Sequence, residues 1–165
     1  MQRFQDQIVV VTGASSGIGR ELARAFSGEG ATVVLAARSV DALEQLAAEL
    51  RVAGGQALVV PTDVRDYGQI ERLMHVTQET FGRLDVLVNN AGQGLGVWAK
   101  DLTMGPVEDL FRTNLFGLIY ATRLALPGMI ARRRGLIINV SSVAGKVGTP
   151  SDSIYAASKF AGNGF

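Results

Sequence analysis

Residues 8–19 read IVVVTGASSGIG, and this stretch decides the fold. Ile8 to Val11 is a β-branched run without polar alternation, as expected of a strand buried on both faces. It ends at Thr12 and passes into glycines at 13, 17 and 19, a G-x3-G-x-G spacing. Gly13 permits a tight turn, Gly17 lets the backbone approach an anion, and Gly19 lets the following helix lie close to the sheet. The free N–H groups and positive dipole at that helix start suit a pyrophosphate. Ser15, Ser16 and Ile18 complete this loop, and a plain turn has little need of three glycines and two serines.

Outward from this turn, strand and helix patterns alternate. Helical spacing of Ile18, Leu22, Ala25 and Phe26 predicts a helix from about Gly17 to Gly30. Strands follow at 31–36, 57–60, 84–88 and 136–140. Helices are expected at 41–53, with Leu43, Leu46, Ala47 and Leu50 on one stripe, and at 66–81. A long helix is expected from about Pro106 to Arg134, disturbed at Pro127-Gly128, and a last one starts near Ser153. Such alternation with short loops implies an open parallel sheet with right-handed crossovers. The expected order is 3-2-1-4-5, with ligands bound at the carboxyl ends of the strands where the order reverses.

Composition narrows the function. The 165 residues suit one domain, 1–165. Sixteen Lys and Arg against fifteen Asp and Glu give a net charge of +1, which argues against nucleic-acid or membrane partners recruited by bulk charge. With no Cys and a single His, His75, neither a metal centre nor a Ser-His-Asp triad is expected. His75 and the run Arg132-Arg133-Arg134 read as surface features, the latter a helix end. Apolar runs are short, so a soluble, cytoplasmic protein is expected.

The end of the second strand bears on the nucleotide. A carboxylate about 20 residues after the glycines would hold ribose hydroxyls, whereas an arginine suits a 2′-phosphate. The positions read Ala37-Arg38-Ser39. Arg38 can fork onto a phosphate and Ser39 can add a hydroxyl, which favours NADP over NAD.

Tyr155 and Lys159 lie at i and i+4, on one face of the last helix. A nearby ammonium favours the phenolate of a tyrosine. Ser142 stands 13 residues before Tyr155, at the end of the fifth strand, where its hydroxyl can hold a substrate oxygen. Asn114 lies within an apolar helix, an unfavourable place that suggests a hydrogen-bonding duty. Trp98 suits a substrate mouth or a loop cover equally.

TGASSGIG (12–19), Asp63-Val64, NNAG (89–92), Asn114, the Ser142 region and YAASK (155–159) together resemble the short-chain dehydrogenase/reductase family, in particular 3-oxoacyl-carrier-protein reductases. The resemblance implies a Rossmann-type, doubly wound α/β fold. It also implies hydride transfer between a nicotinamide cofactor and a carbonyl or secondary alcohol, with Tyr155 as general acid. Lys159 would lower the tyrosine's pKa and hold the nicotinamide ribose, and Ser142 would orient the substrate oxygen. Asn114 would hold a relay water. Asp63, beside Val64, would meet the adenine amino group, and Asn90, Ala91 and Gly92 would pack along the cofactor. Family members assemble as homodimers or homotetramers. They also extend well past the Y-x3-K helix, so relative to them the chain is expected to lack later strands and a substrate lid. That leaves a second expectation, a shortened, inactive cofactor-binding or interaction module.

Overall fold

The computed structural model describes residues 2–165. Five parallel strands form one sheet: β1 (Ile8–Thr12), β2 (Thr32–Ala37), β3 (Gln56–Pro61), β4 (Val86–Asn89) and β5 (Leu136–Asn139), ordered β3-β2-β1-β4-β5. Helices α1 (Gly17–Gly28), α2 (Val40–Val52), α3 (Tyr67–Phe81), α4 (Met104–Phe111), α5 (Gly117–Ala131) and α6 (Ser153–Gly164) complete the chain. The predicted strand order holds, and element ends move by up to three residues.

Two apolar cores sandwich the sheet, and the period-2 pleat assigns residues to each. Val9, Val11, Val33, Leu35, Val86 and Val88 face α1 and α2, meeting Phe26, Leu43, Leu46 and Leu50. Ile8, Val10, Val34 and Leu87 point the other way, toward α3 and α5, meeting Ile70, Leu73, Ala121, Ala125 and Met129. Strands flanked by helices on both faces cannot alternate polar and apolar residues, which explains the continuous Val/Ile runs. Because β1 lies between β2 and β4, the strand order reverses beside it and a crevice opens at the carboxyl ends of β1 and β4.

Local signals account for the helix ends. Asp66 caps α3 by accepting from the backbone N–H of Gly68 (2.8 Å) and Gln69 (3.3 Å). Gly82 closes the same helix in the left-handed conformation, φ +70°.

One expectation is corrected. The long helix is disturbed at residues 112–116, where α4 passes into α5 through a π-helical turn, and Pro127 sits inside α5 without breaking it. The buried face of α1 is Gly19, Ala23, Phe26 and Ser27, while Ile18 and Ala25 are exposed. Phe26 reaches into the core, with Leu22 packed partly against it, while Gly19 and Ala23 occupy the rest of the inner face. β5 is a sheet edge, with Leu136 exposed. The Met104–Ala131 helix is long and apolar enough to cross a membrane by length and composition; here it packs along the sheet through Ala121, Ala125 and Met129.

Candidate active site

The glycine-rich turn is built as its spacing demands. Gly13 has φ +65° and Gly17 φ +53°, both in the left-handed region that glycine enters without strain. A Cβ on Gly19 would lie within 3.0 Å of the Gly13 carbonyl oxygen and of Asn90 Nδ2, so only hydrogen fits there. A Cβ on Gly17 would meet no atom within 4 Å. Ser16 is the N-cap of α1 but makes no capping bond with its side chain. The first N–H groups of α1 therefore face an open space.

Strand β4 is tied to this turn. Thr12 Oγ1 donates to the Val88 carbonyl (3.2 Å) and accepts from the backbone N–H of Asn90 (3.0 Å) and Ala91 (3.1 Å). Asn90 Nδ2 donates to the carbonyls of Thr12 (2.9 Å) and Gly13 (3.2 Å). Asn90 thus acts as a clamp between the two loops flanking the crevice.

The resulting cavity, about 640 Å³, is lined by the glycine-rich turn, by Arg38 and Ser39, by Asp63 and Val64, by Asn90 to Gly92, and by Tyr155 and Lys159. Every predicted cofactor-binding residue except the buried Gly19 borders it; Gly19 acts one layer behind. Arg38 is exposed and forms no ion pair among the described residues. Asp63 is gripped by Arg65, whose Nη2 donates to Oδ2 at 2.7 Å; hydrogen bonding to this guanidinium holds the carboxyl below its ordinary pKa. Arg65 also reaches Asp109 on α4 at 3.4 Å.

On α6, Tyr155 and Lys159 share a face, with Lys159 Nζ 5.9 Å from the Tyr155 ring centroid. Lys159 Nζ donates to the Val140 carbonyl (3.0 Å), and burial pushes its pKa below the ordinary lysine value. Ser142 caps a short 3-10 turn, Val143–Gly145, accepting from the Ala144 N–H at 3.1 Å; its neighbour Ser141, not Ser142, borders the cavity. Ser142 keeps its own hydroxyl proton free to donate.

Asn114 is buried in the π-helical turn. Its Oδ1 accepts from the Gln93 N–H (2.8 Å), and Nδ2 donates to the Gln93 carbonyl (2.9 Å) and to Ser158 Oγ (3.0 Å). The amide therefore clamps the loop after β4, and a water held by the side chain has only Oδ1 left to donate to. Extra turns of this kind are frequent at functional sites. Trp98 is exposed and is not among the residues lining the cavity, and His75 is exposed and pairs with Glu79. Sequence reasoning missed Gln93, Arg65 and Ser158, whose partners lie on other elements and leave no mark in local spacing.

This is the architecture of a Rossmann-type α/β domain with a Tyr-x3-Lys helix opening into its crevice. A family model described as short chain dehydrogenase matches residues 7–165, and the chain belongs to that family. It is 40% identical over 159 residues to ketoacyl reductase HetN of Nostoc sp., covering 96% of this chain and 55% of that protein. It is 41% identical over 161 residues to an uncharacterized oxidoreductase of Staphylococcus aureus, covering 98% of this chain and 69% of that protein. Among solved structures, a metagenomic short-chain oxidoreductase in complex with NADP superposes with a TM-score of 0.94 at 40% identity, over 98% of this chain and 73% of that one. A short chain dehydrogenase/reductase of Burkholderia phymatum in complex with NAD gives 0.93 at 35% identity, over 98% and 58%. The chain thus spans between about half and three quarters of the length of these proteins.

Proposed function

We propose that this protein transfers a hydride between NADP(H) and a carbonyl or secondary-alcohol substrate. The observation that carries the reading is the shared cavity: the uncapped start of α1 and the Tyr155–Lys159 face of α6 open into the same space. The cradle fits a dinucleotide on physical grounds, since unpaired N–H donors and an unobstructed Gly17 suit a pyrophosphate. Gly13, Ser15, Ser16, Gly17 and Ile18 would hold that part. Asp63 and Val64 would meet the adenine, with Asn90, Ala91 and Gly92 along the cofactor's length. Arg38 and Ser39 support NADP over NAD, because an unpaired guanidinium suits a 2′-phosphate. The nicotinamide supplies or accepts the hydride when bound.

The chain's own residues then handle the proton. Tyr155 donates its phenolic proton to the carbonyl oxygen in reduction and recovers it in oxidation. The Lys159 ammonium favours the resulting phenolate. Ser142, its oxygen already accepting from Ala144, donates its hydroxyl to the substrate oxygen. Asn114 holds the loop after β4 in place and can anchor a water through Oδ1. Residence in the cytoplasm and assembly as a homodimer or homotetramer belong to the same reading.

The test is NADPH and NADH oxidation by the purified natural polypeptide, its intact mass first measured, against a panel of ketones. Turnover faster with NADPH is expected. NADPH binding without turnover of any ketone would favour the inactive-module reading, and no binding of either nucleotide would overturn both.

A further inference from the structure

The hydroxyl of Ser158 belongs to no part of the chemistry above, yet it is fully buried between the two reacting side chains in sequence. It donates to the Tyr155 carbonyl on its own helix at 2.7 Å. It accepts from Asn114 Nδ2 on the π-helical turn at 3.0 Å. Asn114 in turn makes two bonds to the backbone of Gln93, next to Gly92 on the cavity wall. One unbroken path of hydrogen bonds therefore runs from the loop after β4, through the π-helical turn, to the backbone of the helix that carries Tyr155 and Lys159.

We propose that Ser158 is a positioning residue, fixing the approach of α6 to the loop after β4 and hence the place of Tyr155 and Lys159 in the cavity. This rests on the reading of those two side chains as the reacting pair.

A Cβ on Gly92 would stand 3.4 Å from Asn114 Oδ1 and 3.5 Å from Lys159 Nζ, ordinary contact distances, so Gly92 on the loop after β4 lies beside both side chains. Lys159 reaches the Val140 carbonyl only while α6 stays at this distance. Deleting the Ser158 hydroxyl leaves a buried Asn114 N–H without a partner, a cost of the kind that makes the neighbouring elements shift or admit water. The helical bond from Ser158 to Tyr155 alone would need no second element. The bond from Asn114 is the one that joins two.

The test compares Ser158→Ala and Ser158→Cys with the wild-type protein in two measurements. The first is steady-state reduction with NADPH, well below the melting temperature. Positioning predicts that kcat falls roughly 10- to 100-fold for the alanine variant, the range expected of small misplacements, while KM for NADPH changes little. The cysteine variant, near in volume and weaker in hydrogen bonding, should lose less. The second is amine-reactive labelling of Lys159 against pH, read by peptide mass spectrometry, with exposed Lys100 and Lys146 as references. As α6 loosens, Lys159 gains water and its labelling midpoint should rise toward the ordinary lysine value. That readout needs no turnover, so an inactive wild-type protein would overturn the functional reading while leaving this proposal tested. A lower Tm with both kcat and the Lys159 midpoint unchanged would overturn the positioning role and leave Ser158 as ordinary core.

Discussion

Replacing Gly19 by alanine probes the closeness of α1 to the turn that precedes it. The added methyl would fall within 3.0 Å of the Gly13 carbonyl oxygen and of Asn90 Nδ2, and 2.9 Å from the Gly13 carbonyl carbon. None of these can retreat easily. Two belong to the backbone of the turn, and Asn90 Nδ2 is bound to the carbonyls of Thr12 and Gly13. Overpacking usually costs about 1–3 kcal/mol, and rigid obstacles place this case near the upper end. For a domain of this size each kcal/mol lowers Tm by about 2–4 °C, so a fall of about 6–12 °C is expected. Gly17→Ala is the internal control. Its methyl meets nothing within 4 Å, so only the left-handed φ of +53° is charged, about 1–2 kcal/mol. Thermal and urea denaturation of both variants without nucleotide should therefore rank Gly19→Ala as the more damaged. With NADPH added, Gly17→Ala should gain less stability than wild type, because its methyl occupies the space offered to the anion. A Gly19→Ala protein with a Tm within about 2 °C of wild type would refute the steric argument.

Three further outcomes are expected. Tyr155→Phe should abolish ketone reduction while NADPH affinity changes by less than about threefold, since only the proton donor is removed; calorimetric titration beside the kinetic assay checks both halves. Arg38→Asp should weaken NADPH binding far more than NADH binding, and equal losses in fluorescence titrations would remove the 2′-phosphate assignment. Asp63 is held below its ordinary pKa by Arg65. Its contribution to stability is therefore complete above the ordinary value near 3.8 and lost as the pH falls through the lower, folded value. Urea denaturation between about pH 2 and 5 should show a shallower acid loss for Asp63→Asn than for wild type.

Much of the candidate site was legible because many of the predicted side chains lie within a few residues of a strand end. Gly13, Arg38, Asp63, Asn90 and Ser142 follow β1, β2, β3, β4 and β5, and a parallel sheet brings all five ends to one rim. Tyr155 and Lys159 needed only helical periodicity. The π-helical turn at Asn114 was not legible: an inserted residue in a helix depends on what its side chain grips, here Gln93, 21 positions away. Nor was the inner face of α1 legible. Periodicity predicts the helix, but Gly19 holds an inner position because the Gly13 carbonyl and Asn90 behind it leave no room for a side chain.

By itself, the amino-acid sequence determined the order of elements and the direction of the strands, because those follow from local periodicity and from the glycines that end β1; the candidate site residues came from the motifs that resemble the family. Tertiary structure alone decided which of those side chains are already occupied by protein partners. Asp63 lies in the grip of Arg65, Asn114 is spent on Gln93 and Ser158, and Arg38 faces solvent and forms no ion pair among the described residues. The physical reason is that hydrogen bonds and ion pairs between elements depend on distances of a few ångströms across the fold, which packing of the two cores sets and local sequence does not encode.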